Sequence, residues 1–306
     1  MHGKLKHLID WKDWGDDEVR AVLDLARKVK HRRWEYQGNM QGNTLVMIFQ
    51  KTSTRTRVSF EAGMTELGGH AINLDWRASN FTLSKVGYET RYLCRNAAML
   101  MARLKQNSDL MEMEAAATVP LINGCCNLYH PCQAMADLVT VAGVMKPQDA
   151  TLAYVGDGNN VAHSLILLSA VLGLRLRIAT PASHPPAARV MARARGLAAA
   201  SGAEIELHED PFLAVEGVNF VYTDVWTSMG QEAEAEQRRR IFRPYQVNAD
   251  LMSRTANAWL LHCLPAHRGE EVTDDVLEGP RSLVFDQAEN RLHAQNAILE
   301  RLLAAG

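Results

Sequence analysis

Apolar positions along this chain gather into short runs separated by amphipathic stretches, and the alternation is played through twice. In the first half, the spacing of Val19, Val22, Leu23, Ala26 and Val29 predicts a helix capped by Asp16, with Arg20, Asp24, Lys28 and Arg32 facing water. The unbroken apolar run 44–49 reads as a strand and is followed at once by a helix-like run over 58–64. Gly68 and Gly69 stop that helix, and 70–74 reads as the next strand. The result is a β-α-β unit whose connecting loop lies at the carboxyl end of the first strand, where ligand loops sit in such units. Strand-like runs recur at 98–102 and 118–122, and a helix beginning near Pro131 turns Met135, Leu138 and Val139 inward.

The stretch 143–149 is polar and carries Pro147, so it reads as a linker. A second alternation follows. Runs at 151–155, 175–179, 204–207, 220–222 and 259–262 supply strands, with helical stretches between them and a closing helix over 296–303. The pattern predicts an α/β protein with two doubly wound parallel-sheet domains. A length of 306 residues and a hydrophobic content of 47% are enough for two cores.

Net charge is −2, which gives no global basic field and argues against nucleic acid or an anionic membrane as partner. No apolar run approaches the roughly 20 residues that span a bilayer, and the first residues lead into charged sequence, so a cytoplasmic protein is expected. Cys94, Cys125, Cys126, Cys132 and Cys263 are odd in number and lack metal-site spacing, so neither a disulfide framework nor a zinc site is expected.

The most informative residues are Ser53, Thr54, Arg55, Thr56 and Arg57, set between the strand-like run 44–49 and the helix. Hydroxyls, the N–H groups of a helix start and guanidinium forks together suit a phosphate dianion. The turn Gly156-Asp157-Gly158-Asn159-Asn160 sits where a dinucleotide fingerprint would, but Val161 stands in place of its third glycine. The cluster Arg238-Arg239-Arg240, preceded by Glu232, Glu234 and Glu236, reads as a solvated helix face.

Read together with His130-Pro131-Cys132-Gln133, Asp224-Val225-Trp226-Thr227-Ser228-Met229-Gly230, His262-Cys263-Leu264-Pro265 and Glu289-Asn290-Arg291, this motif resembles the carbamoyltransferase family over nearly the whole chain. The Ser-Met-Gly and His-Cys-Leu-Pro elements resemble its ornithine branch. The resemblance implies an active site in the cleft between the two domains: a carbamoyl phosphate domain over 1–143, an ornithine domain over 144–290, and a final helix over 291–306 crossing back to the first. Ser53, Thr54, Arg55, Thr56, Arg57 and Arg291 are then the phosphate ligands. Arg103, His130 and Thr56 face the carbonyl oxygen, with Gln133 near the amide, and Cys263 and Leu264 complete that substrate's set. Asn160, Asp224, Ser228 and Met229 are expected to take ornithine, with Arg103, His130, Asp224 and Cys263 as the catalytic group.

The implied reaction yields citrulline in arginine biosynthesis and needs no metal or cofactor; the implied assembly is a homotrimer. Between Trp76 and Arg91 the sequence departs from the family's pattern. Ser84 stands where a glutamate is usual, and Lys85 is the candidate for a cation reaching a neighbouring subunit. Alternatives are the same chemistry on putrescine or an N-acylated ornithine, or a silent paralogue kept as a binding subunit.

Overall fold

The computed structural model describes residues 5–227 and 232–304. Two parallel sheets organise the chain. The first has the order β2-β1-β3-β4, with β1 Thr44–Phe49, β2 His70–Asp75, β3 Met99–Arg103 and β4 Leu121–Cys125. The second has the order β7-β6-β5-β8-β9, with β5 Thr151–Val155, β6 Arg175–Ala179, β7 Glu204–His208, β8 Phe220–Thr223 and β9 Trp259–His262. All pairings between these strands are parallel. Central strands β1, β5 and β8 are buried almost end to end, as strands covered on both faces must be.

Each sheet reverses its winding once. The chain runs from β1 outward to β2 and returns to place β3 on the other side of β1; likewise it runs β5, β6, β7 and returns to place β8 beside β5. Adjacent loops part at such a switch point, beyond the carboxyl ends of the strands, and leave room for a ligand. In the first sheet those ends are the segment after Phe49 and Arg103; in the second they are the turn after Val155 and Asp224.

The chain forms two compact units. One runs from the N-terminal end through Ala136 and resumes at Asn290; the other is Asp137–Glu289. The changeover falls within the helices Pro131–Val144 and Val284–Leu303, while the polar stretch 143–149 holds the end of the first of these and a single turn, Pro147–Asp149. The N-terminal segment joins the first unit's sheet: Leu8 bridges Ile122 in parallel, donating to Leu121 O (2.9 Å) and accepting from Asn123 N (2.7 Å).

Local departures from the sequence pattern have simple causes. The first helix, Asp16–His31, buries the expected stripe, but its N-cap is Gly15, whose N–H donates to the Glu18 carboxylate (3.1 Å). Strand β4 starts at Leu121, not Thr118, since Pro120 has no N–H for the ladder and offers only its carbonyl, to Leu100 N (2.9 Å). It continues through polar Asn123 and Gly124, where a side chain would collide with Met101 Sδ at 2.4 Å. No helix among the described residues is long and apolar enough to cross a membrane.

Candidate functional site

In the first unit, β1 delivers the chain to Ser53, the N-cap of the helix Thr54–Glu66, whose Oγ accepts from Thr56 N (3.3 Å). The helix has no acidic residue in its first turn, so the positive end of its dipole stays uncompensated. Thr56 is buried and Arg55 half-buried. From the last residues of the chain comes Arg291, itself buried, with Nη1 donating to Gln133 Oε1 (2.6 Å) and Nη2 to Thr56 Oγ1 (3.0 Å). Both forks of the guanidinium are thereby fixed, and the Gln133 amide presents its carbonyl end to the arginine. Arg103 closes β3, and its buried Nε has no hydrogen-bond partner among the described residues.

His130 lies beneath these cations. Burial, then the charges of Arg291, Arg103, Lys51 and Arg55, holds its imidazole well below the usual histidine range. It is neutral at physiological pH and able to donate one hydrogen bond without adding charge. Four cations around one neutral histidine make a strongly positive cluster, of the kind that suits an anion. Arg57, by contrast, is exposed, and its Nε donates to Glu61 (2.8 Å). Thr54 is exposed at the first helical position.

In the second unit, β5 ends in Gly156, at φ 142°, a backbone conformation that favours glycine. A side chain at Gly158 would meet Pro186 N at 2.3 Å and Pro185 C at 2.4 Å, so this glycine answers a crossing backbone and not a pyrophosphate. Asn159 caps the helix Asn160–Leu172, its Oδ1 accepting from Val161 N (2.9 Å) and Ala162 N (3.2 Å). With its oxygen so engaged, its Nδ2 donates to Asp224 Oδ2 (2.8 Å) at the end of β8. Tyr154 OH also donates to Asn159 Oδ1 (3.3 Å); burial, then the charge of Asp224, pushes this phenol well up and keeps it protonated.

The other oxygen of Asp224 accepts from the thiol of Cys263 (3.1 Å), just beyond β9. A carboxylate has about four acceptor positions, so this buried group keeps capacity for an ammonium or amine. Cys263 alone of the five cysteines is partly exposed. Asn160 is half-buried at the first position of its helix. Asp224, His262 and Cys263 offer ligand atoms within 4.8 Å of one another, yet His262 is committed: Nδ1 accepts from Leu264 N (2.8 Å) and Nε2 lies 3.0 Å from Glu271 Oε1.

The structure thus gathers Ser53, Arg55, Thr56, Arg103, His130, Gln133 and Arg291 in one cluster, and Asp224 and Cys263, with Asn160 on the adjoining turn, in another. Ser228 and Met229 lie outside the described residues. Leu264 is half-buried beside Cys263, and Lys85 is exposed at the start of the helix Val86–Cys94, its Nζ 5.8 Å from the Tyr88 ring. The sequence pattern missed Lys51, two positions before the N-cap, and Asn159, which holds Asp224. It also misread Arg238. That residue is buried and pairs with Asp157 (2.5 Å) while its Nε donates to Trp226 O, so only Arg239 and Arg240 form the solvated face. Burial pushes the Asp157 carboxyl up to about 6, with Arg238 drawing it down and Asp224 adding to the rise.

Two family models match this chain: the carbamoyl-P binding domain of aspartate/ornithine carbamoyltransferase over residues 6–143, and the Asp/Orn binding domain over residues 148–302. An ornithine carbamoyltransferase of Pyrococcus abyssi is 46% identical over 309 residues, covering 98% of this chain and 96% of that protein. An anabolic ornithine carbamoyltransferase of Pyrococcus furiosus is 47% identical over 303 residues, covering 96% and 95%. A solved ornithine carbamoyltransferase structure from Pyrococcus furiosus superposes with a TM-score of 0.92 at 46% identity, covering 96% of each chain.

Proposed function

Since the chain belongs to the aspartate/ornithine carbamoyltransferase family, we propose that it transfers the carbamoyl group of carbamoyl phosphate to the δ-amine of L-ornithine, giving L-citrulline and phosphate. The observation that carries the choice of acceptor is the cluster of Asp224, Cys263 and Asn159. An acidic acceptor such as aspartate calls for cations around its side-chain carboxylate. Here the buried group is itself a carboxylate, in contact with a thiol and an amide, which suits an amine.

The roles follow from charge. Ser53, Thr54, Arg55, Thr56 and Arg291 take the phosphate at the helix N-terminus, with Arg57 available once it leaves Glu61. Arg103, neutral His130 and the Thr56 hydroxyl donate to the carbamoyl oxygen. Gln133 Oε1 has a second lone pair for the carbamoyl N–H beside the one engaged by Arg291. Attack by the amine nitrogen forms the C–N bond and builds charge on that oxygen, where each donor in place contributes about 2.7–4 kcal/mol. The C–O bond to phosphate then breaks, the electron pair leaves with phosphate, and the amine's proton passes to it.

Only the free amine attacks, and its reference pKa is near ~10.4, so it must lose a proton first. Asp224 draws the ammonium in and Cys263, with Leu264, orients the nitrogen once neutral; Asn160, Ser228 and Met229 take the amino-acid head group. Phosphate is a good leaving group, so the chemistry requires neither a metal nor a cofactor. The carbamoyl phosphate half of the chain is 1–143, the ornithine half 144–290, and 291–306 returns Arg291 to the first. A place in arginine biosynthesis, in the cytoplasm, as a homotrimer in which Lys85 reaches a neighbouring subunit, completes the reading. The test is a colorimetric ureido-product assay with carbamoyl phosphate and ornithine, putrescine, N-acetylornithine and aspartate. Putrescine has no head-group carboxylate and N-acetylornithine no α-ammonium, so ornithine should win by more than 100-fold; equal turnover of putrescine refutes the assignment.

A further inference from the structure

The reach of the thiol depends on residues that never touch it. His262, just before Cys263, is fully buried, and so is Glu271, nine residues on. Leu264 N donates to His262 Nδ1, which fixes the tautomer and leaves Nε2–H to donate to Glu271 Oε1 (3.0 Å). The same carboxylate oxygen accepts His267 N (2.6 Å), closing the loop 263–270 at its far end. From the other side, His262 N donates to Gln287 Oε1 (2.8 Å), whose Nε2 donates to Asp137 Oδ1 (2.7 Å); Gln287 and Asp137 are fully buried too.

At the centre of this chain of bonds, Leu264 sits at φ 57°, a left-handed conformation that a branched residue adopts only when its surroundings impose it. The ring nitrogen of His262 is what imposes it, by capturing the Leu264 N–H. An apolar pair of the same shape would fill the space as well as His262 and Glu271 do, but would leave the Leu264 N–H free and the Cys263 backbone unaimed.

We propose that Glu271 and Gln287 are positioning residues, which through His262 hold Cys263 and Leu264 in the one backbone conformation that directs them at the acceptor amine. This inference rests on the proposed reaction. A displacement of about 1 Å at such a site lowers turnover by up to about 100-fold.

The experiment measures citrulline formation by the full chain and by Glu271→Ala, Glu271→Gln and Gln287→Met. Inorganic phosphate binding is followed by calorimetry and fold by circular dichroism. The expected result is a fall in kcat of more than tenfold in Glu271→Ala and Gln287→Met, with phosphate affinity within twofold of wild type. Glu271→Gln, which keeps an acceptor oxygen for His262 and His267, should recover most of the rate. A folded Glu271→Ala or Gln287→Met with wild-type kcat overturns the inference, as does loss of fold in both, which would assign these residues to stability alone. Absence of citrulline formation by the wild type refutes the proposed reaction instead.

Discussion

Replacing Arg291 with methionine keeps an unbranched stem of similar reach while removing a charge held between two buried partners. Three effects follow. Loss of a charge-assisted contact to a bound phosphate is worth about 1.5–3 kcal/mol, or about 10- to 150-fold in Kd for carbamoyl phosphate. Gln133 Oε1 and Thr56 Oγ1 each lose a donor, so the fold weakens at every pH. And the largest charge depressing His130 disappears, so its pKa moves up toward the ordinary value of 6.5. The sign of the pH effect follows from the native histidine being held neutral. Its contribution to stability is complete above pH ~6.5 and is lost as pH falls below that, because the unfolded chain takes up a proton that the fold refuses. Burial, the larger cause, remains, so the rise is partial and the variant should lose no more stability than wild type between pH 7 and pH 5, although it starts lower. Calorimetry with a non-hydrolysable phosphonate analogue gives Kd, imidazole NMR gives the titration, and urea midpoints at the two pH values give the stability difference. A Kd within threefold of wild type and an unmoved His130 titration would refute the cluster as an anion site.

Alkylation with iodoacetamide at pH 8 should label Cys263 alone, since the other four cysteines are buried and burial pushes Cys126 to about 11 and Cys132 to about 12. Ornithine together with the phosphonate should protect it, and peptide mass spectrometry showing two or more labelled sites on folded protein would contradict this. Gly158→Ala must displace backbone at Pro185 and Pro186, for a loss of about 3 kcal/mol by denaturant unfolding; a neutral result would mean that turn is free to move. Lys85→Ala should leave the fold unchanged, the residue being exposed, and raise the KM for carbamoyl phosphate by roughly tenfold, about 1.4 kcal/mol. An unchanged KM would remove Lys85 from the site.

Strands were the most legible part of the chain because β1, β5 and β8 are buried on both faces and so write themselves as unbroken apolar runs. The grouping of Ser53, Arg55 and Thr56 was legible because they stand together in sequence and are of types seldom brought together otherwise. What escaped depends on contacts between residues distant along the chain. Arg238 stands among like neighbours in a helix whose charge pattern suggests solvent, and nothing local marks it as the partner of Asp157, 81 positions away. Asn159 reads as a helix cap, which it is; its second task, holding Asp224, depends on β8 lying beside β5. The same holds for Glu271, whose burial against His262 contradicts the polar look of its surroundings.

The two units differ in how the ribosome delivers them. Asp137–Glu289 is one continuous stretch, so all of its residues exist before the last helix has been translated. The other unit is begun first and completed last, for it waits on the residues from Asn290 onward: Arg291 for Thr56 and Gln133, Asn290 for Lys30, and Asn296, whose side chain packs against Gly63. At about 5–20 residues per second, tens of seconds pass between synthesis of Arg55 and of Arg291, with β1 and the helix it feeds already made. A nascent chain arrested near residue 289 would hold the residues of the carboxylate–thiol cluster, but its cationic cluster would still lack Arg291, the arginine that joins Thr56 to Gln133.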